Sequence, residues 1–203
     1  THTDLQGCVL VVIAVVLALI VQVPGHFPDP DSFYHAGMAD LARHGQFPPR
    51  FPWLDITTLR GQYADLHLLY HLTLVPFTSA FGMMAGIRIA TITSIGLLTL
   101  ACFIMLRALK VRGAFAFTLL LVGSASFFFR VNLAKSQGFA FIVLFLGLLA
   151  LFRRSRTGLF LAAVFAVWMS NHWPVLGLAV LMYAGMHVGT TILGAPRQWR
   201  AIL

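Results

Sequence analysis

The chain has 203 residues, of which 59% are apolar and 10% charged, against roughly 45–50% and about 25% in soluble domains. That composition excludes an ordinary water-soluble globule. It makes the net charge of +8 a matter of membrane orientation before one of nucleic acid. Cys8 and Cys102 both lie inside apolar runs, so no disulfide is expected and no redox compartment is implied.

At about 20 residues per crossing, the length holds six or seven spans and one sizeable loop in a single domain. Leu5 to Val23 reads as the first span. It is too long for a signal sequence, and no small-residue cleavage site follows it. The absence of an initiating methionine implies a processed chain or part of a longer one. Gly86 to Leu106 is the second span, and Ala114 to Phe129, Gly138 to Phe152, Gly158 to Ser170 and Pro174 to Leu193 supply four more.

Residues 66–84 are apolar but interrupted by His67, His71 and Pro76. If this stretch does not cross, the clusters Arg107/Lys110/Arg112, Arg153/Arg154/Arg156 and Arg197/Arg200 share the side of the N-terminus. That side then holds eight Lys/Arg and only Asp4, while the other holds six Lys/Arg and five Asp. Positively charged residues favour the cytoplasm. The expectation is therefore an all-α polytopic membrane protein with about six transmembrane helices and both termini cytoplasmic. Residues 1–23 form the first span, 24–85 one large outer loop, and 86–203 five further spans. Residues 66–84 lie at the interface or re-enter packed against protein.

Within the loop, "DSFYHAGMADLARHG" (31–45) predicts a short helix, with Asp31 as N-cap and Gly45 as stop. Phe33, Met38 and Leu41 can face membrane or core. The proline-rich 46–61 stretch is irregular, with Phe51 and Trp53 suited to the water–lipid boundary.

This loop gathers Asp29, Asp31, Asp40, Asp55 and Asp65 with His26, His35, His44, His67 and His71. Asp29 and Asp31, two apart in a proline-stiffened segment, can share a divalent cation, or one can act as base beside the other. The structural alternative is a helix cap and a turn residue. His67 and His71, at i and i+4 on one helix face, follow Asp65, and Asp31/His35 repeats that spacing. These residues can ligate zinc or manganese, or simply hydrogen-bond. Arg130 and Lys135 in the second outer loop suit a phosphate, or lipid headgroups. In the third outer turn, Asn171, His172 and Trp173 precede a helix-starting Pro174. No phosphate-binding glycine loop, Cys/His zinc module or nucleophile elbow occurs.

One span, an acidic loop opening with D-x-D, "LVPFTSAFG", a basic turn "RALKVRG" and then "FFFRVNLAKSQGFAF" together resemble the N-terminal half of the membrane-embedded C-type glycosyltransferases. The pattern is similar to that of the oligosaccharyltransferase catalytic subunit and its bacterial relatives. The resemblance covers most of the chain as an order of segments. Its residue matches are Asp29/Asp31, Pro76 to Ser79 and Arg130. It implies a polyprenyl-phosphate-linked sugar donor, an acceptor-activating or metal-binding carboxylate at Asp29 or Asp31, and a phosphate or acceptor contact at Arg130. It also implies manganese or magnesium as a cofactor in metal-dependent members. The second outer loop departs from oligosaccharyltransferases in having Asn132, Lys135 and Gln137 but no carboxylate, which is closer to metal-independent members using lipid monophosphate sugars.

Two functions follow as expectations. The first is an inverting glycosyltransferase, or its conserved module, acting at the outer face of a bacterial inner membrane rather than the endoplasmic reticulum. Its catalytic residues would be Asp31, then Asp29, its phosphate-binding residues Arg130 and Lys135, and its metal ligands Asp29, Asp31, His67 and His71. Its partners would be the lipid-linked donor, membrane lipids and membrane proteins, not nucleic acid. The alternative is a non-catalytic membrane subunit that uses loop 24–85 as a docking surface. A transporter fits less well, because the predicted spans contain no carboxylate.

Overall fold

The computed structural model describes residues 2–22, 29–51, 56–57, 60–171 and 173–192. His26, Trp53, Asp55, His172, Arg197 and Arg200, which the sequence reading used, lie outside them. The described chain forms α1 (His2–Val21), α2 (Asp31–Arg43), α3 (Leu68–Phe81), α4 (Met83–Ala108), α5 (Ala114–Gly123), α6 (Ala125–Asn132), α7 (Gln137–Phe152), α8 (Arg156–Met169) and α9 (Trp173–Ile192). Among the described residues there is no strand.

Helix α4 is central and packs mainly on α1, α3 and α7. Its close approaches are made by small residues, as helix pairs in apolar surroundings require. Gly138 of α7 lies against the Ser94 hydroxyl of α4, where a Cβ would collide. A Cβ on Gly86 would sit 2.5 Å from the Phe77 carbonyl oxygen, so only glycine lets α3 lie on α4. The two helices are joined by Gly82 alone, at φ +78°. One core joins Ala14 and Ala18 of α1 to Ile95 and Leu98 of α4 and to Phe128 and Val131 of α6. A second joins Ala36 and Ala39 of α2 to Tyr70, Leu74, Ile87, Ala90, Ala134 and Met169.

Hydroxyls inside these helices donate back to their own backbone: Thr78 to the Leu74 carbonyl, Thr91 to Ile87, Thr99 to Ile95 and Thr118 to Ala114. That leaves no hydroxyl seeking water in an apolar surround. Large apolar side chains instead point outward, among them Leu5, Val12 and Ile20 on α1, Phe160 on α8 and Leu181 on α9.

Among the described residues two helices, Thr3–Val21 and Met83–Ala108, are long and apolar enough to cross a membrane. The count is three if α5 and α6 form one broken span, which is fewer than the six expected. Leu68–Phe81, Gln137–Phe152, Arg156–Met169 and Trp173–Gly189 are apolar but shorter. The continuous helix expected over 114–129 is instead bent by 69°. Ser124 adopts an extended backbone there (φ −70°, ψ 108°), ending α5 and starting α6.

Helix α2 matches its expected start, and it closes as predicted at Gly45. Gly45 N–H donates to the Ala42 carbonyl and Gln46 N–H to Leu41, the paired bonds of a left-handed C-terminal cap. The same pattern ends α4 at Lys110 and α7 at Arg154, whose φ angles are +57° and +55°. The capping role expected of Asp31 belongs to Asp29. Asp31 is the first residue of the helix proper, and its N–H donates to Asp29 Oδ1 at 2.9 Å. Met38 is buried and Phe33 exposed.

Candidate functional site

The acidic and histidine-rich loop folds into α2, the segment before α3 and α3 itself. Its polar side chains meet where these pack on residues 133–136 and on the end of α8. Asp29 anchors the start of α2, its second oxygen accepting from the Ser32 hydroxyl at 3.1 Å. Lys135, from the turn between α6 and α7, reaches across 104 residues. Its ammonium donates to Asp31 Oδ2 at 2.6 Å and lies 3.4 Å from Asp29 Oδ1. Asp31 is 60% exposed. The Lys135 hydrogen bond holds its carboxyl below the usual range, and Asp31 in turn raises Lys135.

One helical turn after Asp31, His35 points inward and is 4% exposed. Its Nδ1 lies 2.8 Å from Nε2 of His71, which is wholly buried on α3. His71 Nδ1 lies 2.6 Å from Asp65 Oδ2. The other Asp65 oxygen accepts the His67 N–H at 2.9 Å. Burial works against charge on Asp65, but the His71 hydrogen bond, with His67 behind it, holds its carboxyl below the ordinary value.

An ionised carboxylate needs a donor, which places a proton on His71 Nδ1. His71 Nε2 then accepts from His35 Nδ1–H, and His35 Nε2 is left bare. These tautomers are assigned from the hydrogen-bond network. Burial, reinforced by His71 and His67, pushes the His35 imidazole down to about 3, so it is neutral at physiological pH.

His67 Nδ1 lies 3.3 Å from the Ser136 hydroxyl and 3.4 Å from the Met169 carbonyl oxygen. Tyr70 and His67 both set ring edges against His35, with centroids 5.0 and 5.4 Å away. Tyr34 and Tyr63 share a 2.6 Å hydrogen bond between hydroxyls, and burial raises both phenols. Asp65 and Tyr63, with Met38, Phe47, Pro48, Pro49 and Leu68, line a cleft of about 260 Å³.

Of the residues singled out in the sequence, Asp29, Asp31, His67, His71 and Lys135 therefore come together. Arg130 is exposed on α6, and among the described residues no hydrogen bond or ion pair joins its side chain to the group. Also among the described residues, no three His, Cys, Asp or Glu side chains are arranged to hold a metal ion. The donor set explains this: a cation between Asp29 and Asp31 would have to displace the Lys135 ammonium, and both His71 nitrogens are already engaged. The residues present thus do not fit a divalent ion in this arrangement, and no step is assigned to one. Sequence reading noted both i, i+4 pairs but missed their joining through His35 and His71, and missed Ser136 altogether. Comparison with known protein families, with curated proteins and with solved structures finds no match.

Proposed function

We propose that the chain is a membrane glycosyltransferase, or its conserved module, moving a sugar from a polyprenyl-phosphate-linked donor to an acceptor at the outer membrane face. The observation that carries this reading is the Lys135 ammonium set beside the Asp29–Asp31 pair. It places a phosphate-seeking cation of one loop beside the carboxylates of another, at one end of an apolar helical body. In this reading α1, α4, the bent α5–α6 pair, α7, α8 and α9 are six crossings. The Lys110 and Arg154 turns are cytoplasmic, and α2 and α3 form an outer layer. Sixteen-residue α7 and fourteen-residue α8 span about 24 and 21 Å and borrow length from their flanks.

The donor phosphate takes Lys135 as its counter-ion, with Arg130 as a second cation at the rim. As the anomeric bond breaks, charge grows on the phosphate, and a fixed cation there lowers the barrier. Asp31, exposed beside it, meets the acceptor. Its ion pair makes it a weaker proton acceptor than a free carboxylate would be. Direct displacement inverts the anomeric centre.

The test is transfer of labelled sugar from a polyprenyl-phosphate pool in native membranes, comparing the full chain with Lys135→Ala, Asp31→Asn and Asp29→Asn. Loss of one transition-state donor predicts about a 100-fold fall for Lys135→Ala. Equal transfer by all four sinks the reading.

A second reading, the non-catalytic subunit docking through loop 24–85, draws on the exposure of Phe33, Phe47 and Leu66 within that loop. It predicts a membrane partner that co-purifies with the chain and is released by Phe47→Asp.

A further inference from the structure

We propose that Asp65, His71 and His35 form a buried proton relay, with His35 as the receiving group and the His71–Asp65 pair as the store. Its purpose rests on the glycosyl-transfer reading, but its existence as a hydrogen-bonded chain does not. Three features carry it. The contacts are short and in series, 2.6 Å from Asp65 Oδ2 to His71 Nδ1 and 2.8 Å from His71 Nε2 to His35 Nδ1. Both rings are buried, so no bulk water competes for the two nitrogens that join them. Finally, the two ends of the series face different places. His35 lies one helical turn beyond Asp31, which pairs with Lys135. Asp65 lines the 260 Å³ cleft.

A neutral imidazole can take a proton on one nitrogen while giving up another from the opposite nitrogen. The acceptor hydroxyl, directly or through one water, gives its proton to His35 Nε2. The His35 Nδ1 proton passes to His71 Nε2. His71 becomes an imidazolium whose Nδ1–H already rests on the Asp65 carboxylate, so the new charge forms beside its counter-ion. The electron pair left on the acceptor oxygen forms the bond to the anomeric carbon. The anomeric carbon–oxygen bond breaks, and its electron pair leaves with the phosphate. Water in the cleft then removes the stored proton beside Asp65.

His35 itself holds a proton poorly and so passes it on. The groups facing it are His71, His67 and Tyr70 from α3 and its approach, Tyr34 and Asp31 from α2, and Lys135 from the α6–α7 turn.

The first measurement uses the unmodified full chain in detergent with ¹⁵N-labelled histidine. It looks for nitrogen–nitrogen coupling through the hydrogen bond between His35 and His71, and for a downfield His71 N–H that Asp65→Asn abolishes. Their presence supports the relay whether or not transfer is found, and their absence overturns it.

The second measurement is the transfer assay in ordinary and deuterated water for the full chain, His35→Gln, Asp65→Asn and Asp65→Glu. General acid–base loss predicts about a 100-fold fall for the first two, with loss of the multi-proton solvent isotope effect and partial rescue by Asp65→Glu. If His35→Gln and Asp65→Asn transfer like the unmodified chain, the relay is overturned and the glycosyl-transfer reading survives. If the unmodified chain transfers nothing, that reading falls, and the relay stands or falls on the coupling.

Discussion

The α1–α4–α7 body and the α2–α3 layer bury polar groups in opposite ways. In the body, Thr91, Thr99 and Thr118 satisfy their hydroxyls on their own helix, and contact between helices is made mainly by small residues and shape, with Gln22 donating to the Asn132 carbonyl at 2.6 Å as an exception. In the α2–α3 layer the imidazoles depend on partners from outside their own helix: His35 on His71, His71 on Asp65, His67 on Ser136 or Met169. The body tolerates apolar substitutions that keep volume. The layer requires particular atoms, because an unpaired polar group in a dry surround costs more than the hydrogen bond it replaces. A chain needing only a stable outer cover would have no use for that dependence.

The difference can be tested by substitution. Asp65→Ala, which leaves the buried His71 Nδ1–H without its acceptor, should destabilise the protein by about 3 kcal/mol, read from denaturant unfolding in detergent. An effect under about 1 kcal/mol would mean the layer is as tolerant as the body. Gly86→Ala forces a Cβ against the Phe77 backbone and should cost about 2 kcal/mol. In the same unfolding experiment, Gly177→Ala, with open space around it, should cost nothing measurable.

A smaller effect is the response to acid. His35 is held neutral down to about 3 against an ordinary value of 6.5. The unfolded chain therefore binds a proton there that the folded chain refuses. The stabilisation is whole above pH 6.5 and declines as pH falls toward 3. The lowered Asp31 and Asp65 add further loss below their ordinary 3.8. Melting temperature followed from pH 7 to pH 4 should fall, and His35→Gln should flatten the slope above pH 5.

Lys135→Ala breaks a half-open ion pair and should cost no more than about 1 kcal/mol, so a large loss of activity there could not be blamed on unfolding. The smallest change belongs to the opposite end of the body. Lys110→Gly relieves a left-handed backbone at φ +57° and should stabilise by about 0.5 kcal/mol, visible as a slightly raised unfolding midpoint.

The parts legible in the sequence were those set by neighbours along the chain. The starts and ends of α1, α4, α7, α8 and α9 follow apolar runs and their basic or glycine borders. Gly45 closes α2 because its left-handed backbone is a local requirement. The break at Ser124 was hidden, because Phe127, Phe128 and Phe129 continue the apolar run while the helix axis turns through 69°. Asp31 looked like a cap because it precedes the helical pattern. In the structure Asp29 takes the Asp31 N–H, while the Asp31 side chain turns to Lys135, 104 residues away. The histidine spacing was visible within each helix, whereas the contact between residues 35 and 71 depends on how α2 packs against α3, which no local pattern encodes.

The ties that hold this cluster also set an order on its making. Asp29 and Asp31 leave the ribosome more than a hundred residues before Lys135, and His67 more than a hundred before Met169. Domains form as their chain is made, N-terminal parts first. The first loop therefore waits, its carboxylates and imidazoles without these partners, until the α6–α7 turn and the end of α8 are made. The cluster is complete only when Lys135, from the later turn, closes on both carboxylates of the earlier loop.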